Sequence, residues 1–445
     1  MSNEFVSIGE LFNLEKGELQ STKCTLGDFD FITAAKDWKA HNEYTHECEA
    51  LIIAVAASGS LGRTHYVNGK FISSDLCFIL TPKDESKYPL NLEFYHFVFN
   101  SLRLVLVAAT KAGTSKESIN QTNLKKYELP YFDIEQQDLW IEKLKNTLVR
   151  KGLLGSELTH QQTLLKKLRQ QILQEAIEGK LTADWRAQNP DVEPASELLA
   201  RIQAEKQQLI KDKKIKKGKK QIANELVNNN LKIPNEWELP DTDDICQFVT
   251  DGTHQTPSYT QSGRIFLSAQ NVKPFRFMPE IHRYVSEDDY SEYVKNRKVE
   301  KGDLLLGRVG AGIGETAVVD RDIDCAIYVS LGLVKTFKNN VDSQYLEIVF
   351  NSPYGVRYSK GNVSSAGAAG NYNLGRIRSF PIPLPPLPEQ KAIVAKVEKL
   401  LTLCDQLGNQ ITTNQSHAEQ LMQAVLKEAF SQGGTQTEQQ VIANA

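Results

Sequence analysis

The sequence predicts an α+β protein in which one unit, an α/β domain followed by a long helix, occurs twice. Three observations predict it. Two stretches carry the heptad spacing of long paired helices. Short motifs recur in the same order from the first half to the second. Between the helices, short apolar runs alternate with turn residues. The expected architecture is two duplicated α/β domains joined by two long helices, which pair as an antiparallel coiled coil about a pseudo-two-fold axis. The expected divisions are residues 1–135, 136–232, 233–386 and 387–445.

In the first unit, Phe29 to Thr33, Ala50 to Ala56, His65 to Val67 and Leu76 to Leu80 read as strands, and Leu92 to Leu106 as a helix packed on them. A polar loop, Thr110 to Gln121, leads into Asn123-Leu124 and an extended Tyr127 to Phe132. Gln136 to Gly179 reads as a helix with its seam at Ile141, Leu144, Leu148, Lys151, Leu154, Leu158, Gln161, Leu165, Leu168 and Ile172. A helix-and-turn extension follows as far as Leu209. Lys206 to Lys220 then holds eight lysines against one aspartate. Such a block reads first as a solvated linker; contact with phosphates, where lysine acts as a point charge, is the alternative.

Ile233-Pro234-Asn235-Glu236-Trp237 opens the second unit, which repeats the first. Phe31 to Ala35 matches Phe266 to Gln270, and Ser58 to Gly62 matches Gly310 to Gly314. Val98-Phe99-Asn100-Ser101 matches Val349-Phe350-Asn351-Ser352, and Asn123-Leu124 matches Asn373-Leu374. The offset grows from 235 to 252, an insertion of 17 residues expected near Phe275 to Lys298. The last helix, Leu387 to Phe430, has seam positions Ile393, Val397, Leu400, Cys404, Leu407, Ile411, Asn414, Ala418, Leu421 and Val425, with gaps alternating between 4 and 3. A stripe this narrow and long needs a partner helix, and the helix of the first unit supplies it. Leu168 to Ala176 also reads like Leu421 to Ala429. Gln161 and Asn414 are equivalent in the repeat and polar in an apolar seam, so they are expected to meet and fix register.

Composition narrows the function classes. The chain is 40% hydrophobic and 24% charged, with net charge −3, as in an ordinary soluble protein. It has no apolar run long enough for a membrane span and no signal pattern, which predicts a cytoplasmic protein with no membrane role. Six cysteines without paired spacing argue against a metal site or a disulfide framework. The glycine loop Gly307 to Gly314 fits a relaxed dinucleotide fingerprint, but strand-like Val318-Val319 follows it where a helix is required, so a tight turn is expected. No GxxxxGK[ST] or HExxH motif is present, and His41, His46, His65 and His254 stand without a paired nucleophile. No catalytic residues are assigned.

The loops before the two extended segments are small, polar and nearly free of acids. Asn and Gln can bridge the edge of an adenine, while Ser, Thr and backbone amides suit phosphates. The candidate DNA-contacting residues are Ser58, Arg63, His65, Thr114, Lys116, Gln121 and Asn123 in the first unit. In the second they are His254, Arg308, Lys360, Ser364, Ser365, Asn371, Tyr372 and Asn373, with Arg357, Arg376 and Arg378 adding nearby charge.

Three segments carry a family resemblance: Ile382 to Gln390 running into Ile393-Val394-Ala395-Lys396-Val397-Glu398, Glu175 to Pro190, and Ile233 to Trp237. Asp251-Gly252-Thr253-His254 adds to it. The chain resembles the specificity subunits of type I restriction-modification enzymes over nearly its whole length. The first unit departs from the pattern: Glu128 to Gln136 keeps Leu-Pro and Glu-Gln but lacks the proline run. The resemblance implies two target-recognition domains, each reading half of a bipartite site on double-stranded DNA, and a coiled coil that docks two modification (methyltransferase) subunits. It places S-adenosylmethionine on those partners, and ATP and magnesium on a motor-nuclease restriction subunit where one exists. The chain itself is then non-catalytic and holds no cofactor. The competing readings are an enzyme with a nucleotide cradled at Gly307 to Gly314, and a coiled-coil scaffold without DNA.

Overall fold

The computed structural model describes residues 4–56, 59–112, 117–216, 218–219, 231–295, 297–364 and 370–431. It divides into two units, Met1–His160 with Ile411–Ala445, and Gln161–Gln410.

The first unit begins with strands β1 (Glu4–Ser7), β2 (Phe12–Lys16), β3 (Phe29–Ile32), β4 (Lys39–His41), β5 (His46–Ala54), β6 (Thr64–Ser73) and β7 (Cys77–Pro82). Helices α1 (Leu92–Ser101) and α2 (Arg103–Thr110) follow, then a hairpin of β8 (Lys111–Ala112) and β9 (Ser118–Ile119). The short helix α3 (Gln121–Lys126), strand β10 (Glu128–Tyr131) and the long helix α4 (Ile134–Ile177) as far as His160 follow, with the part of the last helix from Ile411 onward. The main sheet runs β2-β7-β5-β6-β3-β4, with β3 and β6 parallel and every other pair antiparallel. Successive side chains of a strand face opposite ways. Leu51 and Ile53 of β5 therefore join α1 residues such as Phe94, Val98 and Phe99 in one core, while Ala50, Ile52 and Ala54 join Phe71 and Ile79 in another.

The second unit contains helices α5 (Ala183–Gln188) and α6 (Ala195–Lys211), then strands β11 (Cys246–Asp251), β12 (Arg264–Leu267) and β13 (Arg283–Val285). After helix α7 (Glu287–Val294) come β14 (Leu304–Gly307), β15 (Thr316–Val318), β16 (Cys325–Ile327) and β17 (Leu331–Thr336). Helices α8 (Ser343–Asn351) and α9 (Pro353–Gly361), a hairpin of β18 (Val363–Ser364) and β19 (Asn371–Tyr372), α10 (Leu374–Arg378) and α11 (Leu387–Ser431), the last as far as Gln410, follow. The sheets run β11-β17-β14-β15 and β13-β12-β16, with β12 and β16 parallel. Strand for strand this is the order of the first unit, with long β6 replaced by β15 and β16. The added residues of the second copy lie between β12 and β14 and include α7, where the growing repeat offset places the insertion.

The duplication extends to single hydrogen bonds. Asn100 accepts from the Thr64 N–H at 3.2 Å and donates to the Thr64 carbonyl at 2.8 Å. Asn351 does the same to Thr316, at 3.1 and 2.8 Å. Gln137 and Gln390 are fully buried. Gln137 accepts from the N–H of Asn91, the cap of α1, and Gln390 from that of Asp342, the cap of α8; each also donates to a nearby carbonyl. Gln137, one residue beyond the expected Gln136, is thus the counterpart of Gln390.

Two expectations need correction. Leu92 to Leu106 is not one helix: α1 and α2 meet at a 73° bend beside Asn100, whose amide is turned onto β6. Pro353 marks the same break openly in the second copy. The seams are also narrower than expected. Leu148, Leu154, Leu168, Leu407 and Leu421 are 37–53% exposed, and Gln161 is exposed while Asn414 is half-buried. Two paired helices enclose only a thin stripe. On α11 one position per heptad is buried, Val397, Cys404, Ile411, Ala418 and Val425; on α4 Leu144, Leu158 and Ile172 are buried, with half-buried Lys151 and Leu165 between them. The antiparallel sense is seen within each unit. In the first, the Lys151 ammonium donates to the Glu419 carbonyl at 3.4 Å, and Val425 shares a core with Trp140, Ile141 and Leu144. In the second, Arg169 pairs with Asp405 at 2.6 Å, and Gly408 approaches Leu165.

Candidate nucleic-acid interface

Each unit brings together a glycine turn, a short hairpin and a capped short helix. In the first, the turn after β5 is joined to the β8–β9 hairpin by the Ile119 N–H, which donates to the Val55 carbonyl at 2.9 Å. Asn120 then caps α3, accepting from the Asn123 N–H at 3.1 Å. In the second, the Tyr372 N–H donates to the Arg308 carbonyl at 2.8 Å, Val309 pairs with Asn371, and Asn373 caps α10 by accepting from the Gly375 N–H at 2.7 Å. Asn120 is therefore the counterpart of Asn373, and buried Leu124 that of buried Ile377. The expected match of Asn123-Leu124 with Asn373-Leu374 is wrong by three residues, because both contain an Asn before a Leu and only the cap geometry separates them.

Glycine is required at the ends of these turns. Gly62 and Gly314 have φ of +76° and +85°. A Cβ at Gly314 would also stand 2.2 Å from the Ser359 hydroxyl. Gly307 to Gly314 is thus the expected tight turn, joining antiparallel β14 and β15. In the first unit the turn is further held by Arg103, which donates to the Leu61 and Gly59 carbonyls at 2.7 and 2.9 Å.

The candidate residues separate by exposure. Gln121, Asn123, Lys360 and Ser364 are exposed, and Asn371 and Asn373 half-buried beside the hairpin. The His254 side chain is 71% exposed, its Nε2 bonded to Asp251 at 3.0 Å. Arg63 is half-buried and donates to the Ala34 carbonyl and the Ser60 hydroxyl at 3.0 and 3.1 Å. Three candidates are corrected. Arg308, His65 and Tyr372 are only 4, 8 and 1% exposed. Arg308 is paired with Asp251 and donates to the Tyr372 and Val329 carbonyls, so its charge holds the hairpin to the sheet. His65 accepts from the Trp38 indole at 3.1 Å, and burial pushes its imidazole below the ordinary value. Burial likewise holds the Tyr372 hydroxyl well above its own. Ser58, Thr114, Lys116 and Ser365 lie outside the described residues. The sequence reading missed Asp251, Arg103 and the cap Asn120. Only the repeat offset of the adjoining helices, 253, would have found Asn120.

Among the described residues no cluster of His, Cys, Asp or Glu is arranged to hold a metal ion. No single helix among them is long and apolar enough to cross a membrane.

The three segments that carry the family resemblance meet at one carboxylate. Glu389 is fully buried at the start of α11. It accepts from the Thr182 hydroxyl at 2.7 Å, the Trp237 indole at 3.0 Å and the Arg186 guanidinium. A duplicated α/β unit carried on paired long helices, closed by this junction, defines the class. The type I restriction modification DNA specificity domain matches residues 2–149 and 234–414, and the chain belongs to that family. The chain is 30% identical over 277 residues to the type I restriction enzyme EcoAI specificity subunit, and 31% identical over 279 residues to the EcoEI specificity subunit, both of Escherichia coli. Those alignments cover 59% of this chain but only 44% and 43% of the relatives, so the match spans less than half their length. The EcoDI specificity subunit of the same organism matches at 22% identity over 96% of this chain and 87% of its own. Two solved chains share the fold at 15% identity. One comes from a study of complex assembly and conformational transition of the type I R-M system, with TM-score 0.64 over 96% of this chain and 97% of its own. The other is the HsdS subunit of Thermoanaerobacter tengcongensis, with TM-score 0.56 over 96% of each.

Proposed function

We propose that this chain is the DNA-reading subunit of a type I restriction-modification complex, with no chemistry of its own. One observation carries the reading: the turn, hairpin and asparagine-capped helix are built twice on two copies of one sheet, joined each time by the equivalent backbone hydrogen bond. Such a pair suits a bipartite target on double-stranded DNA, one half per unit. The recognition domains are residues 1–135 and 233–386, with helical regions 136–232 and 387–445 between and after them. Among the described candidates, Arg63, Gln121, Asn123, His254, Lys360, Ser364, Asn371 and Asn373 are proposed to meet DNA, and their exposed or half-buried side chains support this.

Partners dock along the helices. Leu139, Leu153 and Leu164 of α4 are 66, 66 and 48% exposed, and Leu403 and Leu407 of α11 are 48 and 53% exposed. These open leucines suit contacts with two modification subunits. S-adenosylmethionine belongs to those partners, and ATP with magnesium to a restriction subunit where the system has one. The complex works in the cytoplasm.

Sequencing methylated sites in cells that carry the modification gene, with and without this chain, tests the reading. Sequence-specific methylation should need both proteins. The purified chain alone should neither methylate nor cut DNA, and methyl transfer by it would refute the non-catalytic assignment.

A further inference from the structure

The lysine-rich stretch after α6 does not run free as a linker. Lys206 is buried, pairs with Asp243 at 3.3 Å and donates to the Cys246 carbonyl at 2.9 Å, which pins α6 to the start of β11. The chain then turns at Lys213, whose φ of +57° is left-handed, with Lys213 and Lys214 N–H groups donating to the Ile210 and Leu209 carbonyls at 3.0 Å. This turn folds the stretch back beside Phe248, Val249 and Thr250 of β11 and closes a cleft of about 710 Å³.

The cleft is strongly cationic. Lys213, Lys214, Lys216 and Lys219 come from the lysine stretch, Lys295, Arg297 and Lys298 from the insertion after α7, and Arg378 from the end of α10. Its two acids are already matched: Asp243 by Lys206, and Glu300 by Lys335 at 2.8 Å. Among the described residues, Lys213, Lys216, Lys219 and Lys295 have no acidic partner within 4.0 Å. Two features tie the cleft to the interface. Arg378 ends the helix that Asn373 caps, five residues or about 7.5 Å along. Arg297 donates to the Asp251 and Gly252 carbonyls at 3.2 and 2.6 Å, beside His254. The cleft thus adjoins the residues proposed to meet DNA.

We propose that this cleft binds backbone phosphates of the duplex flanking the half-site read by the second unit. Lysines placed as point charges, with no matched acid, supply affinity without base selection. The inference rests on the DNA-reading function proposed above. It predicts a property that function does not require.

The test uses the full chain assembled with its own modification subunits and two duplexes, one with the mapped site and one without, titrated across a salt series. Lys213→Gly, which suits the left-handed turn, is combined with Lys214→Gln, Lys216→Gln and Lys219→Gln. Affinity should fall by a similar factor, about tenfold or more, on both duplexes. The slope of log affinity against log salt should shrink by about 0.9 for each phosphate that is no longer neutralised. Arginine at positions 214, 216 and 219 should restore most of the affinity, since it keeps the charge. An unchanged slope, or a weakening confined to the site-bearing duplex, overturns the cleft while leaving the DNA-reading function intact. Failure of the unaltered complex to retain either duplex overturns both.

Discussion

At the scale of single residues, the two copies are held by matching side-chain clamps rather than by matching surfaces. Asn100 and Asn351 each close both backbone groups of a strand threonine, so replacing either by alanine leaves a buried N–H and carbonyl unmet. Asn351→Ala should cost about 1–3 kcal/mol in urea denaturation. Glu347 offers a test with a sign. Burial raises its carboxyl from the usual 4.5 to about 7, although the Val318 N–H bonded to it pulls the other way. The folded form thus holds a proton that the unfolded chain releases. Its contribution is complete below pH 4.5, is lost as pH rises to about 7, and stays lost above that. Glu347→Gln keeps the acceptor and removes the titration. The variant should match the parent near pH 4 and be more stable by up to about 3 kcal/mol at pH 8; equal stability at both values would show that the carboxyl is not desolvated. The sequence hid most of this level. Arg308 looks like a DNA-binding arginine in a glycine loop, and nothing local shows that Asp251, far back in the chain, claims it. Exposed polar residues such as Gln121 and Lys360 were legible because their neighbours along the chain already leave them in solvent.

At the scale of elements, periodicity served well and its phase served less well. Both long helices, the insertion before β14 and the turn at Gly307 to Gly314 were legible because each follows from spacing or glycine content. The bend between α1 and α2 was not, since it depends on Asn100 reaching another strand. The seam was misjudged at its rim because leucine alone does not tell an inward position from a flanking one. Gln161 and Asn414 remain a proposal for the register of the coil. A Gln161→Cys/Asn414→Cys chain should form a disulfide under mild oxidation, while cysteines moved one turn along one helix should not. If the paired helices are the ruler between half-sites, inserting one heptad beside each of these residues adds about 10 Å, or roughly three base pairs. The preferred spacer should lengthen by about two to four base pairs with weaker binding, since three base pairs also turn the duplex by about a third of its repeat. A spacer-library selection reads this directly, and an unchanged spacer would remove the helices from that role.

At the scale of the whole molecule, the central claim is a division of labour: two copies of one α/β unit, each reading its own half of the target. The sheet orders support equal construction, since β2-β7-β5-β6-β3-β4 recurs with only one strand divided. The proposed lysine cleft adds positive charge beside the second unit's hairpin. The most direct test is a map of methylated sites in cells carrying the modification subunits together with a chimaera. In it, residues 233–386 are replaced by the equivalent segment of a relative that reads a different sequence. The account predicts an interrupted target in which one half changes and the other half keeps its bases. A target that changes in both halves, or one that does not change at all, would contradict it.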